Sequence, residues 1–198
     1  MEDAFAHIQR GMLLRSQRRY AEAARSFCDA LSRDPDNAVA LSHLAACQMQ
    51  LPPQQSQALK TIDRAIALEP EDPAHYELKA FILCALSRPQ DALHAATEAL
   101  ALDPNSSIAW SASAQACLQL EHWNEAEQAA RNALAHDADS TAAANQLVQA
   151  LMMQNKMDEH AGEMASLLAR DPENAFSHSN AGWALLKRGA YAKAQTHF

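Results

Sequence analysis

Alanine- and leucine-rich stretches alternate along this chain with short polar phrases that contain proline: SRDPDN, LEPED, LDPNS and ARDPEN. The prolines stand at 35, 70, 104 and 172, at intervals of 35, 34 and 68, the last being twice 34. A further member belongs at 138, where Asp137-Ala138 takes the place of Asp-Pro. Punctuation of this period, with few β-branched residues between the marks, predicts a helical supersecondary unit repeated along the chain. Each unit is preceded by a capping residue: Asn37, Asp72, Ser106, Ser140 and Asn174 can all accept hydrogen bonds from unpaired N–H groups at a helix start. Pro73 then occupies a first helical position, where its missing N–H is not needed. Inside the units Pro52-Pro53, Arg88-Pro89, Asn155 and Gly189 interrupt the apolar stretches, so each unit divides into two helices.

Laid in register, the units start at Ala4, Ala38, Pro73, Ser107, Thr141 and Ala175. Their eighth residues are Gly11, Ala45, Ala80, Ala114, Val148 and Gly182, nearly all small. The twentieth are Ala23, Ala58, Ala92, Ala126, His160 and Ala194, and the twenty-seventh Ala30, Ala65, Ala99, Ala133 and Leu167. With these three columns the chain resembles the tetratricopeptide repeat (TPR) family over essentially its whole length. That resemblance implies an all-α fold, a right-handed superhelix (α-solenoid) of antiparallel helix pairs, spanning 1–198 as a single domain. It would hold five full repeats and a truncated sixth, because the last one runs out at its twenty-fourth position, Phe198. The expectation at that end is an uncapped face bearing Trp183, Leu186, Tyr191 and Phe198. Two columns depart from the pattern: Ala96 and Ala130 stand where a large residue is usual, and the fifth repeat carries His160, Met164 and Leu167 at signature positions.

Composition narrows the function. A formal net charge of −8 argues against nucleic acid or an anionic membrane as the main partner, since both require a basic face. The local run Arg15, Arg18 and Arg19 reads as a solvated helix end. Acids in the opening MEDAFAHIQR and the lack of a long apolar run argue against a signal peptide or a membrane span. Four scattered cysteines (Cys28, Cys47, Cys84, Cys117) form no CxxC pair, which fits reduced, buried thiols and a cytoplasmic protein. No P-loop, nucleophile elbow or GxGxxG turn is present. The nine histidines lack HExxH spacing, and His160 with Glu163 makes only a lone pair, so no metal, cofactor or catalytic residue is expected.

The resemblance further implies that positions 2, 5, 6, 9, 12 and 13 of each first helix line a concave groove. Here these places bring forward Val39, His43, Met49, Leu78, Phe81, Cys84, Gln115, Gln149, Met152 and Trp183 as partner-binding residues. Family members that clamp a carboxylate need Lys, Asn and Arg where this chain has Ile8, Met12, His43, Ala74 and Leu78. A continuous amide ladder is also missing, because Gln9, Gln146 and Asn180 are separated by Leu78 and Ala112. An apolar middle with methionines suits an amphipathic helix, an apolar peptide or the surface of a larger assembly. Ile108 and Leu118 are expected to lean towards the core. The function expected is a non-enzymatic scaffold or adaptor; the alternatives are an arm of a larger enzyme or membrane-associated protein, and self-association through the C-terminal face.

Overall fold

Five of the capping and starting signals coincide with helix starts in the computed structural model, which describes residues 3–156, 169, 178, 182, 185, 186 and 191–197. The first helices are α1 (Ala4–Ser16), α3 (Ala38–Met49), α5 (Pro73–Ala85), α7 (Ser107–Gln119) and α9 (Thr141–Met153). Their partners are α2 (Tyr20–Leu31), α4 (Gln55–Leu68), α6 (Pro89–Leu102) and α8 (Trp123–His136); a short α10 covers Tyr191–Ala194. No strand occurs among the described residues. The chain divides into two compact units, Met1–Pro104 and Asn105–Phe198. The expected sixth repeat, with Trp183 and Phe198, and the His160–Glu163 pair lie largely outside the described residues.

First and second helices begin differently. Asn37 Oδ1 accepts from Ala40 N–H at 2.9 Å, Asp72 Oδ1 from Ala74 N–H at 2.9 Å, and Ser106 Oγ from Ala109 N–H at 3.0 Å. Ser140 Oγ makes the same cap on Ala143 at 3.4 Å. The second helices start without such a side chain. They follow a turn residue in the left-handed region: Arg18 (φ 59°), Ser87 (56°), Glu121 (61°) and, after α9, Asn155 (61°). That conformation lets the backbone close the preceding helix, as in Arg19 N–H to the Leu14 carbonyl and Arg88 N–H to the Leu83 carbonyl, both 2.9 Å. All four stand at the fifteenth position of their repeats. The second repeat has Pro52 there, whose ring holds φ near −65° and which has no N–H to give. A 3-10 turn over Pro52–Gln54 bridges α3 and α4 instead.

The three small-residue columns are the helix contacts. Ala23, Ala58, Ala92 and Ala126 are fully buried, and so are Ala30, Ala65, Ala99 and Ala133. In the first unit, one core joins Ile8, Leu14, Phe27 and Leu44, and another joins Leu41, Ala45, Ile62 and Ile82. A buried hydrogen bond from Thr61 Oγ1 to Gln48 Oε1 (2.9 Å) ties α4 to α3. In the second unit the core is Ala114, Ala129, Ala130, Leu147 and Leu151. There Glu127 of α8 accepts from Lys156 Nζ at 2.6 Å and from Gln154 Nε2 at 2.9 Å, fastening the end of α9.

Residues of the eighth and twenty-fourth columns pack together. Gly11 meets Phe27, Ala45 shares a core with Ile62, and Ala114 shares one with Ala130. Ala96 and Ala130, the departures noted in the sequence, are both fully buried.

Candidate protein-binding faces

In the first unit α3 lies beside both α1 and α5, so side chains on the open sides of these first helices share a face. On α3 and α5, Val39 is 51% exposed and His43, Met49, Leu78 and Phe81 are half-buried, Met49 and Leu78 also packing against the core around Ile62. Phe5 and Met12 of α1 are exposed as well. Cys84 is different. Only 5% of it is accessible, so its thiol is a core group and offers a partner almost no surface.

The charge of Arg15 reaches the groups beside this face. The His43 ring lies 5.4 Å from Phe27, tilted by 43°; burial and then the charge of Arg15 lower its pKa. Buried Cys47 is pushed up to about 11 by its apolar surroundings, against the opposing pull of Arg15. A neutral imidazole beside exposed valine and half-exposed phenylalanine and methionine makes a mainly apolar surface.

In the second unit α7 lies beside α9. Gln115, Gln149 and Met152 are half-buried there, whereas Trp183 falls outside the described residues. Ile108 is 55% exposed, contrary to the expectation that it leans inward; Leu118 is buried. Sequence reading also missed an amide relay. Ser111 Oγ donates to Gln146 Oε1 at 2.9 Å, and Gln146 Nε2 donates to Gln115 Oε1 at 3.5 Å. Gln146 is thus a buried strut between α7 and α9, and Gln115 is positioned by it. The signal was there in the sequence, a Ser and a Gln one repeat apart, but pairing across repeats is invisible until the helices are neighbours.

Thiol chemistry corrects one expectation. Cys47, Cys84 and Cys117 are buried as anticipated, but Cys28 is exposed. None of the four forms a disulfide. On the other side of the first unit a cleft of about 390 Å³ lies among α4, α5 and α6, over Leu59, Leu83 and Ala95. Lys79 there pairs with Asp63 at 2.8 Å and Arg88 with Asp91 at 2.6 Å, and Glu98 lies 3.5 Å from His94. No described helix is long and apolar enough to cross a membrane.

Comparison with known proteins agrees with this geometry. Residues 14–82 match the family described as tetratricopeptide repeat. The chain carries tetratricopeptide repeats. Residues 52–133 of this TPR protein also match the family of anaphase-promoting complex, cyclosome, subunit 3. Among solved structures it is similar to a thermophilic TPR protein of Thermus thermophilus, TTC0263, with TM-score 0.81 and 22% identity over 92% of this chain and 99% of that one. The type IV pilus biogenesis factor PilW is 20% identical, with TM-score 0.87 over 98% of this chain and 90% of PilW. A chain of the Cut9–Hcn1 hetero-tetramer is 17% identical, with TM-score 0.89 over 98% of this TPR chain but 39% of its own length. No curated protein sequence matches. At these identities the solved structures speak to the fold: antiparallel helix pairs of the α-solenoid class.

Proposed function

We propose that this TPR protein is a non-catalytic scaffold that holds a segment of another protein against its first helices, in a reducing, cytoplasmic setting. The observation that carries the reading is the row Val39, Met49, Leu78 and Phe81, large apolar side chains left exposed or half-exposed on the adjacent helices α3 and α5. Surface apolar groups scattered singly need no partner, but a contiguous patch marks an interaction site. The apolar side of an amphipathic helix fits this surface best, because methionine adapts its shape and neutral His43 adds no charge. Gln115, Gln149 and Met152 form a second, more polar patch for the same class of partner. One punctuation period runs through both units, which supports reading 1–198 as one scaffold. Likeness in fold to a chain of the Cut9–Hcn1 hetero-tetramer supports the same reading. The lack of a disulfide at any of the four cysteines supports the compartment.

Photo-crosslinking in cells of the native host tests the proposal. A benzophenone amino acid at Phe81 or Met49 should crosslink a discrete protein, and the same group at Lys60, exposed on α4, should not. Phe81→Glu and Gln149→Arg should each weaken capture at least tenfold with an unchanged circular dichroism spectrum. Equal crosslinking at Lys60 and Phe81, or capture indifferent to both substitutions, would overturn it.

A further inference from the structure

The turn between α4 and α5 gathers three metal-ligating side chains. Donor atoms of Glu69, Asp72 and His75 all lie within 4.8 Å of one another. His75 Nε2 is 3.3 Å from Glu69 Oε2 and 3.8 Å from Asp72 Oδ2. Zinc bonds of about 2.0–2.2 Å place neighbouring donors of a tetrahedron about 3.4 Å apart, so two of the three edges are already near that length.

The histidine is what separates this group from a surface acidic cluster. Its side chain is only 4% exposed. Its other nitrogen, Nδ1, is held 2.9 Å from Ser42 Oγ, which comes from α3 in the preceding repeat. That contact fixes the ring from behind and aims Nε2 at the two carboxylates, the arrangement by which an outer hydroxyl or carbonyl orients a metal-binding imidazole. Asp72 divides its labour: Oδ1 caps α5 through Ala74 N–H at 2.9 Å, which leaves Oδ2 facing the histidine. Glu69 is half-exposed and is the movable ligand.

We propose that Glu69, Asp72 and His75 bind one divalent transition-metal ion, zinc by preference, with water in the fourth position. One imidazole with two carboxylates suits zinc, whereas magnesium and calcium favour all-oxygen cages with more ligands. In the bound form Nδ1 carries the hydrogen and donates it to Ser42 Oγ, and Nε2 gives its lone pair to the ion. The ion would fasten the turn after α4 to the start of α5 and, through Ser42, to α3. The site was not legible as a motif because one ligand precedes the turn, one caps the helix and one lies inside it.

Calorimetric titration of zinc chloride into chelator-treated full-length protein decides the matter. The expected result is one equivalent bound, an isotherm unchanged by millimolar magnesium, and a thermal midpoint raised by the metal. Both carboxylates can be neutralised without removing a core group: Glu69 is half-exposed, and asparagine caps a helix as well as aspartate. Glu69→Gln with Asp72→Asn should therefore keep the metal-free midpoint and weaken zinc at least tenfold. Ser42→Ala should weaken it about 10- to 100-fold, as loss of an outer-shell partner does. Absence of a saturable equivalent, displacement by magnesium, or zinc affinity in the carboxylate double variant within threefold of the parent would overturn the assignment.

Discussion

Replacing Gly11 by alanine adds one methyl group to the junction where α1 meets α2, and the space for it is already taken. A Cβ at that position would lie 2.6 Å from Phe27 Cε1, 2.7 Å from Cζ and 2.9 Å from Cδ1. Carbon atoms in comfortable contact are about 3.5–4.0 Å apart, so the ring would have to retreat by roughly 1 Å. Phe27 is fully buried among Ile8, Leu14 and Leu44 and has nowhere to go without displacing them. Overpacking of this kind costs about 1–3 kcal/mol. Opposing it, alanine is a better helix residue than glycine by about 1 kcal/mol, so the single substitution nets a loss of roughly 0–2 kcal/mol. A double-mutant cycle with Phe27→Leu removes that offset, because the propensity gain is the same in both backgrounds and cancels. The coupling should then be about 1–3 kcal/mol in favour of the double variant, well above the ~0.5 kcal/mol within which independent sites add. Urea unfolding followed by far-ultraviolet circular dichroism measures it. Amide exchange in α1 and α2 provides the local reading that a repeat protein requires. Additive single effects would refute the steric account.

Three further substitutions or measurements probe other parts of the structure. The left-handed turn residues Ser87 and Glu121 carry strain of about 1–2 kcal/mol that glycine would relieve, less about 0.5–1 kcal/mol for glycine's freedom in the unfolded chain. Ser87→Gly and Glu121→Gly should each raise the thermal midpoint by about 1–4 °C, with a smaller effect at Asn155, and a lowered midpoint would contradict the turn geometry. Ellman's reagent should find a single thiol, Cys28, in the native protein and the other three only in guanidinium; burial and then Asp29 raise the Cys28 pKa, so the reaction will be slow at neutral pH. Partial burial pushes the Glu127 carboxyl up, but hydrogen bonds from Lys156, Gln154 and Arg131 outweigh it and hold the pKa below its ordinary value. Because the folded-state value is depressed, this stabilisation is complete above the ordinary carboxylate range and fades as pH falls through the lowered value. Glu127→Gln should lose about 1 kcal/mol at neutral pH, and the gap to the parent should close in acid; a gap independent of pH would exclude the ion pairs as its source.

The helical framework was legible because its signals are local and repeat. Asn37, Asp72, Ser106 and Ser140 each cap a helix that begins one residue later. The alanine columns read directly as closed helix contacts, and Ala23 and Ala58 are fully buried. The second-helix starts were less readable. Glycine or asparagine announces a left-handed turn, but Arg18, Ser87 and Glu121 adopt it with nothing in their chemistry to announce it. There the surrounding helix pair dictates a backbone that the residue itself disfavours, and tertiary packing overrides local preference.

The candidate site was legible only as a set of positions, and the reason is physical. A place in the repeat decides which way a side chain starts out, but its exposure depends on the neighbours that the adjacent repeat supplies. Val39 and Cys84 were nominated by the same rule, yet the valine stands half in solvent and the thiol is enclosed. Gln146 and Gln149 lie on one helix, three residues apart; Ser111 claims the first as a buried strut, and the second is left half-exposed for a partner. His75 carries this furthest. Its position in the third repeat is ordinary, and its surroundings are supplied by Ser42 one repeat back, Glu69 across the turn and Asp72 at the helix cap. In a stacked-repeat protein each interface is built from two repeats, so the residues that matter for binding are those whose neighbours come from the next repeat along. Framework positions can be read from one repeat, whereas functional ones must be read from pairs.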